Sequence, residues 1–100
     1  MIRRGTTPTQ VFNTSIDLSS ATVLYVSYKQ HGKVLINKTL EDCVIDSTSL
    51  TTALTQEETL LLDDKVKVEI QIRAKFSDGD AVASNIMETD AGRILKGGVI

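Results

Sequence analysis

The sequence has few of the residues that cross-link, stack or interrupt a fold. Cys43 is its single cysteine, Pro8 is its single proline, tryptophan is absent, and aromatic residues make up 4% of the chain. A single cysteine excludes an intrachain disulfide, which is typical of a reducing cytoplasm or of a fold that needs no cross-link. No apolar run is long enough to cross a membrane, and residues 1 to 6 are not followed by the apolar region of a signal peptide. We therefore expect synthesis and folding in the cytoplasm and no membrane partner.

The sequence also lacks a concentration of charge of one sign. It has 11 basic and 13 acidic residues, mixed along the chain, and a formal net charge of -2. Proteins that bind nucleic acid through its phosphates usually gather Lys and Arg in one patch or stripe. The sequence has no such patch, so we predict no nucleic-acid partner.

Residue sets that carry out catalysis or bind metals are missing as well. His31 lies in a predicted turn, and the sequence gives it no second His or Cys and no close carboxylate to act with as a metal ligand or base. Cys43 lies in a short apolar strand, where a cysteine is usually a small core residue. Asp78 and Asp80 lack the further carboxylates and flanking helices of a calcium loop. We therefore predict a protein that is not an enzyme, with no catalytic residues, no metal and no cofactor.

The residues that are abundant favour β-structure, and residues 65 to 76 give the clearest signal. Apolar and polar side chains alternate strictly through this segment, which predicts a long strand with one buried and one exposed face. The Asp78-Gly79 pair predicts a hairpin turn, and residues 81 to 87 predict the returning strand. The predicted buried face consists of Val66, Val68, Ile70, Ile72, Ala74 and Phe76.

The register of this hairpin depends on the length of its loop. A two-residue loop would place Val82 on the exposed face, because a shift of one residue moves every side chain to the other face. A three-residue loop with a glycine bulge places Val82 opposite Ala74 and Ile86 opposite Ile70. We therefore predict the three-residue loop.

The rest of the chain reads as shorter strands. Residues 9 to 12 predict a first strand. Residues 22 to 30 are apolar on both faces, which predicts a central strand covered on both sides. His31-Gly32 predicts a two-residue turn that places Tyr28 opposite Leu35 and Val26 opposite Asn37.

Two further strands and a helical turn precede the long strand. Residues 43 to 46 and 49 to 54 predict a pair of strands joined through Ser47-Thr48. Thr55 and Glu58 have the spacing of a capping box, which predicts one or two helical turns before residue 65.

Together these elements predict an all-β protein, an antiparallel β-sandwich of about seven strands with one short helical turn before the long sixth strand. A helical turn at this corner resembles the immunoglobulin-like sandwich, although the Cys–Trp–Cys core set is absent. We predict an N-terminal arm over residues 1–8, a sandwich domain over residues 9–88 and a C-terminal tail over residues 89–100.

Four segments of the sequence can be compared with known proteins: Arg4-Gly5-Thr6-Thr7-Pro8-Thr9, Leu54-Thr55-Gln56-Glu57-Glu58-Thr59-Leu60, Ser77-Asp78-Gly79-Asp80-Ala81 and Ile94-Leu95-Lys96-Gly97-Gly98-Val99-Ile100. Together they resemble small proteins encoded in the tail and structural gene clusters of phages and prophages of Gram-positive bacteria. The resemblance implies a virion or virion-assembly component, related to the immunoglobulin-like N-terminal domains of baseplate upper proteins. It implies partners among other tail or baseplate proteins or a second copy of the chain, and a place in the bacterial cytoplasm and then in the virion.

The tail supplies the candidate interface. Ile94, Leu95, Val99 and Ile100 are apolar, and the glycines between them weaken any independent structure. We predict that these four residues contact another subunit or another tail protein, with packing onto their own domain as the alternative.

A carbohydrate-binding module is the second functional hypothesis, because sandwiches often support one. Sugar-binding surfaces need exposed aromatic rings. The sequence places its few aromatic residues mostly where a core would want them: Phe12, Tyr25, Tyr28 and Phe76.

Overall fold

The structure is a computed structural model that describes residues 1–100. It contains ten strands, one short α-helix and one 3-10 turn, so the predicted all-β class is confirmed. The strands are β1 (Ile2–Arg3), β2 (Thr9–Asn13), β3 (Ala21–Gln30), β4 (Lys33–Thr39), β5 (Cys43–Ile45), β6 (Ser49–Ala53), β7 (Val68–Phe76), β8 (Ala81–Ala83), β9 (Met87–Thr89) and β10 (Ala91–Gly92). The helix α1 spans Gln56–Leu60, and the 3-10 turn spans Leu40–Asp42.

The strands form two antiparallel sheets and one parallel pair. The larger sheet has the order β4-β3-β7-β8, with β9 also paired to β7, and the smaller sheet has the order β2-β6-β5. Strands β1 and β10 pair in parallel and join the two ends of the chain. The molecule measures 47 × 25 × 17 Å along its principal axes.

Both sheets contribute to one hydrophobic core. Leu50 of β6 is buried together with Leu24 and Val26 of β3 and Ile70 and Ile72 of β7. This is the alternation that the sequence predicts for β7, whose even-numbered residues from 68 to 74 are all buried. The two sheets are therefore held together chiefly by the removal of aliphatic side chains from water.

The β7–β8 hairpin confirms one predicted register and corrects another. Phe76 N donates to Asp80 O at 2.9 Å, Gly79 has a φ of 92°, and Val82 pairs with Ala74, as the three-residue loop requires. Farther along, Met87 and not Ile86 pairs with Ile70.

The correction has a local cause at Ser84. Ser84 N donates to Ile72 O at 2.8 Å, but Ile72 N donates to the Ser84 side chain at 3.0 Å instead of to its carbonyl. The returning strand is thereby divided into β8 and β9, and Ile86 is 58% exposed. The long strand also begins at Val68 and not at residue 65.

The β3–β4 hairpin likewise has the predicted turn but a shifted register. His31 and Gly32 have φ values of 52° and 71°, the left-handed conformations of a two-residue turn. A bulge then moves the ladder by one residue, so that Tyr28 pairs with Ile36 and not with Leu35. The shift places Ile36 in the core and the polar Asn37 outside, which is the lower-energy choice.

Strand β3 is central in its sheet, as predicted, but it is not covered on both faces. It lies between β4 and β7. Its inward side chains are buried, whereas Val23 and Tyr25 on the outer face are exposed. No second layer packs on that outer face, so the prediction that its apolar residues are buried is wrong.

The ends of the chain differ from the predicted arm and tail. Ile2 belongs to the hydrophobic core, and Ala91 and Gly92 are buried in β10. Residues 2 to 3 and 91 to 92 are joined to each other as a strand pair, and residues 87 to 89 pair with β7, so all of them are parts of the packed domain.

Candidate interaction surface

The candidate interaction surface starts from the pairing of the two chain ends. Ile2 N donates to Asp90 O at 2.8 Å, and Arg4 N donates to Gly92 O at 3.0 Å. These bonds bring the N-terminal segment alongside the strand that leads into the tail. The first residue of the predicted interface, Ile94, follows two residues after Gly92.

Helix α1 fixes the N-terminal segment from the other side. Its capping box forms as predicted, with Glu58 N donating to Thr55 Oγ1 at 3.1 Å and Thr55 N donating to Glu58 Oε1 at 2.9 Å. The buried Thr59 hydroxyl accepts from Thr6 N at 3.1 Å and donates to Thr6 O at 2.9 Å. Arg4 Nη2 donates to the carbonyl of Leu60 at 3.2 Å.

The four predicted interface residues do not share one environment. Ile94 is partly buried, and its Cδ1 atom approaches Gly5, which has a φ of 70°. Leu95 and Ile100 are 94% and 90% exposed, and Val99 is also exposed. The structure therefore places Ile94 on its own domain and leaves the other three side chains in solvent.

The exposed segment is nevertheless attached at its last residue. Gln56 Nε2 donates to Ile100 O at 3.1 Å, and Ile100 N donates to Gln56 Oε1 at 2.9 Å. The two bonds involve only the backbone of Ile100, and its side chain remains exposed to solvent. Exposed hydrogen bonds of this kind contribute little net stability, because water competes for both partners.

A groove lies farther along the molecule, between one edge of each sheet. It encloses about 420 Å³, and its walls come from β2 with the loop after it and from β8 with the break before β9. The groove is lined by Phe12, Asn13, Thr14, Ser15, Ile16, Leu18, Ile72, Val82, Ala83, Ser84, Asn85 and Met87. No pattern in the sequence predicts this groove. The Ala-Ser-Asn run at residues 83 to 85, with its low strand propensity, was the available signal for the break.

A polar contact that the sequence did not predict joins β4 of the larger sheet to helix α1. Lys38 Nζ of β4 lies 2.6 Å from Glu58 Oε1, and Lys38 is buried. Burial raises the pKa of Glu58. The hydrogen bonds from Lys38 and the Thr55 N–H together lower this pKa by more than burial raises it, so the pKa of Glu58 is below its ordinary value. The Tyr28 hydroxyl is buried without a hydrogen-bond partner, and burial raises its pKa.

His31 and Cys43 are the residues that the sequence offers as a possible metal ligand, base or nucleophile. His31 Nε2 lies 2.9 Å from Asp63 Oδ2, so the expectation that it has no close carboxylate is wrong. The hydrogen bond from His31 lowers the pKa of Asp63. Cys43 is a free, partly buried thiol packed against the core, and burial raises its pKa. No group of three or more His, Cys, Asp or Glu side chains is arranged to hold a metal ion.

The aromatic residues divide between the core and the surface. Tyr28 is fully buried, and Phe12 and Phe76 pack against the core, but Tyr25 is 42% exposed. Tyr25 borders a shallow depression of about 370 Å³ at the start of β3. The expectation that the aromatic residues are mostly internal is correct except for this one ring.

No protein-family model matches the chain, and comparisons with curated proteins and with solved structures found no match. None of the helices has the length and apolar character needed to cross a membrane.

Proposed function

We propose that the domain is an immunoglobulin-like sandwich. Immunoglobulin sandwiches pair strands A-B-E-D in one sheet and C-F-G in the other, with C′ added beside C in the variable type. If β2 to β8 are taken in order as B, C, C′, D, E, F and G, the sheets here have the orders B-E-D and C′-C-F-G. The position of α1 between β6 and β7, the proposed strands E and F, adds support.

The domain acts, on this proposal, as a structural and protein-interaction module of a phage or prophage tail or baseplate. The assignment to a tail rests on the sequence resemblance alone. The interaction role rests on one observation, the apolar C-terminal segment that the fold leaves uncovered. Leu95, Val99 and Ile100 expose most of their surface, whereas Ile2 at the other end of the chain is buried in the core. Exposed apolar groups of this kind favour association with another protein.

Removal of residues 95 to 100 tests this role. The absolute molar mass of the full chain and of the shortened chain is measured by light scattering after size-exclusion chromatography, over a range of concentrations. We expect the full chain to associate and the shortened chain to remain monomeric with an unchanged urea midpoint. A shortened chain that associates like the full chain but unfolds more easily would contradict the proposal, because the tail would then serve its own domain.

Carbohydrate binding is the second candidate, and the exposure of Tyr25 favours it. A planar ring at the edge of a depression that also contains Thr22, Thr39 and Glu41 offers a stacking surface beside hydrogen-bonding groups. A glycan-array screen of the wild type and Tyr25→Ala tests it, with Val23→Ala as the matched control. Binding that is lost only in Tyr25→Ala would favour this candidate, and an array without binding would remove it.

A further inference from the structure

The groove lies between two strands that each have an unpaired edge. Strand β2 ends the smaller sheet, and β8 ends the larger sheet on the same side of the molecule. In the proposed immunoglobulin-like arrangement, β2 is strand B, and strand A would lie beside it. The strand that comes before β2 in the chain, β1, pairs with β10 and not with β2. The place beside β2 is therefore open.

The backbone groups that face this opening can be identified from the hydrogen bonds on the other side. Leu54 N donates to Pro8 O, and Thr14 N donates to Thr48 O, so the even-numbered residues of β2 face β6. Because an antiparallel strand alternates its hydrogen-bonding direction, the N–H and C=O groups of Thr9, Val11 and Asn13 face away from β6. An extended segment laid beside β2 would find three residues ready to pair.

Strand β8 presents a shorter edge of the same kind. Asp80 O accepts from Phe76 N, and Ser84 N donates to Ile72 O, so Ala81 and Ala83 face away from β7. The floor between the two edges is the hydrophobic core itself. Phe12, Val82 and Met87 pack against the core and are only partly buried, because nothing covers them from the groove side. The groove thus combines strand edges with an apolar floor, the two elements of recognition by strand addition.

The C-terminal segment of the chain has complementary properties. In an extended strand, Leu95 and Val99 would fall on one face with Gly97 between them, since side chains alternate at every residue. Gly98, which has a φ of 83°, would take an extended conformation on binding, a change that glycine permits. The Leu95 and Val99 side chains are both exposed, because no apolar surface of their own molecule covers them. Gly97 lies in open space, so it leaves room for close approach of the backbone to a strand edge.

Charge favours the same pairing. Residues 91 to 100 contain Arg93 and Lys96 and no acidic side chain. The segments that form and flank the groove, residues 12 to 18 and 77 to 88, contain no Lys or Arg. Their charged side chains are all acidic: Asp17, Asp78, Asp80 and Glu88.

We propose that the groove between β2 and β8 binds residues 95 to 99 of a second copy of this chain as an added strand, with Leu95 and Val99 directed onto its apolar floor. This inference rests on the proposed role of the tail in protein interaction and adds the surface that receives it. Backbone hydrogen bonds supply affinity in such pairing, and the alternate side chains set the register.

The positions of tail and groove make the assembly head-to-tail. Ile100 is held by Gln56, which lies near the beginning of β2, because Ala53 pairs with Thr9. The groove lies near the end of β2, at Phe12 and Asn13. The two surfaces are different parts of the molecule, so each copy offers one donor and one acceptor. A contact between unlike surfaces of identical chains continues into a chain of subunits or closes into a ring.

Two variants that disable opposite halves of the contact test this arrangement. Ile16→Lys/Asn85→Lys places two cations at exposed positions in the groove, where they repel Arg93 and Lys96 of the incoming tail. Leu95→Asp/Val99→Asp makes the tail polar and leaves the groove unchanged. Val44→Lys, at an exposed position on β5 away from both surfaces, is the control. Molar mass is measured by light scattering and sedimentation over a range of concentrations, and circular dichroism confirms that each variant is folded.

We expect the wild type and Val44→Lys to form species larger than dimers as concentration rises, and each double variant alone to lose about tenfold or more in association constant. An equimolar mixture of the two double variants contains one intact groove and one intact tail. It should form a heterodimer that does not grow further.

The contrary outcomes separate this inference from the proposed function. If the groove variant associates like the wild type while the tail variant is monomeric, the tail interface stands and the groove is not its acceptor. If the mixture forms no heterodimer, the contact is not head-to-tail. If the wild type is monomeric at every concentration, a second copy is not the occupant, and the interaction role then depends on a different partner of the tail.

Discussion

At the scale of single residues, Gly5 shows how one backbone conformation connects the two ends of the chain. Its φ of 70° lies in the left-handed region, and a methyl group at this position would lie 3.0 Å from Ile94 Cδ1 and 3.5 Å from Leu60 Cδ2. A side chain at residue 5 would therefore strain the backbone and displace Ile94, the one predicted interface residue that packs on the domain.

We predict that Gly5→Ala lowers the free energy of unfolding by more than Gly32→Ala does. Gly32 has a φ of 71° but no atom within 4 Å of the added methyl group, so it isolates the cost of the left-handed backbone, roughly 1 kcal/mol. Urea denaturation of both variants measures the difference. Equal losses would mean that Ile94 moves aside freely and does not hold the tail.

The contact between Lys38 and Glu58 predicts a dependence of stability on pH. Because the folded pKa of Glu58 is lowered relative to its unfolded value, its contribution is fully present above about pH 4.5 and is lost as pH falls through the folded pKa. We expect the urea midpoint of the wild type to fall more steeply below pH 4.5 than that of Glu58→Gln.

Glu57→Gln is the control for this experiment, because Glu57 is exposed and forms no hydrogen bond or ion pair. Its pH profile should follow the wild type. If Glu58→Gln and the wild type run parallel between pH 7 and pH 3, Glu58 is not the group whose protonation weakens the fold.

At the scale of elements, the division of the returning strand into β8 and β9 depends on one hydroxyl. Ser84 Oγ accepts from Ile72 N at 3.0 Å and donates to Asn85 O at 2.8 Å, in place of a regular ladder bond. Gln71 Nε2 donates to the Ser84 carbonyl at 2.9 Å and satisfies the group that leaves the ladder. The break opens one wall of the groove and turns Ile86 toward solvent.

We predict that Ser84→Ala lowers the free energy of unfolding by about 1 to 3 kcal/mol, because the N–H of the buried Ile72 would lose its partner. Ser77→Ala, at an exposed position of the same hairpin with no side-chain hydrogen bond, should be nearly neutral. Thermal unfolding followed by circular dichroism compares them. A Ser84→Ala variant as stable as Ser77→Ala would show that a regular ladder can replace the break.

At the scale of the whole molecule, the two chain ends play opposite parts. The N-terminal Ile2 is buried in the core, and its strand closes the domain against β10. The C-terminal Ile100 is attached only through its backbone and exposes its side chain. The beginning of the chain therefore stabilises the fold, and its end is available to another molecule.

We predict that Ile2→Ala lowers the free energy of unfolding by about 3 kcal/mol, the usual cost of truncating a buried aliphatic side chain. Ile100→Ala should change it by less than about 0.5 kcal/mol, as expected at the surface. Both are measured by urea denaturation at a concentration where the protein is monomeric. A small effect of Ile2→Ala would mean that residues 1 to 8 behave as the separate arm that the sequence indicated.

The sequence by itself determined the elements of this protein. The period of two in β7, the turns at His31-Gly32 and Asp78-Gly79, and the capping box at Thr55 are local signals, and each formed as predicted. Local patterns act through neighbours along the chain, so they can be read without knowing the fold. They also fixed the all-β class, because no segment had the period of a long helix.

The tertiary structure alone decided registers, edges and ends. The bulge before Ile36 shifts the alternation so that Ile36 faces the core, and that requirement comes from the facing sheet. At Ser84 the hydrogen bonds of one side chain divide the strand, and they form only because β7 lies beside it. The exposure of Tyr25 and the burial of Ile2 depend on whether another layer lies above them. One edge of the groove is open because β1 pairs with β10 and leaves β2 at the end of its sheet, a pairing between partners far apart in the sequence.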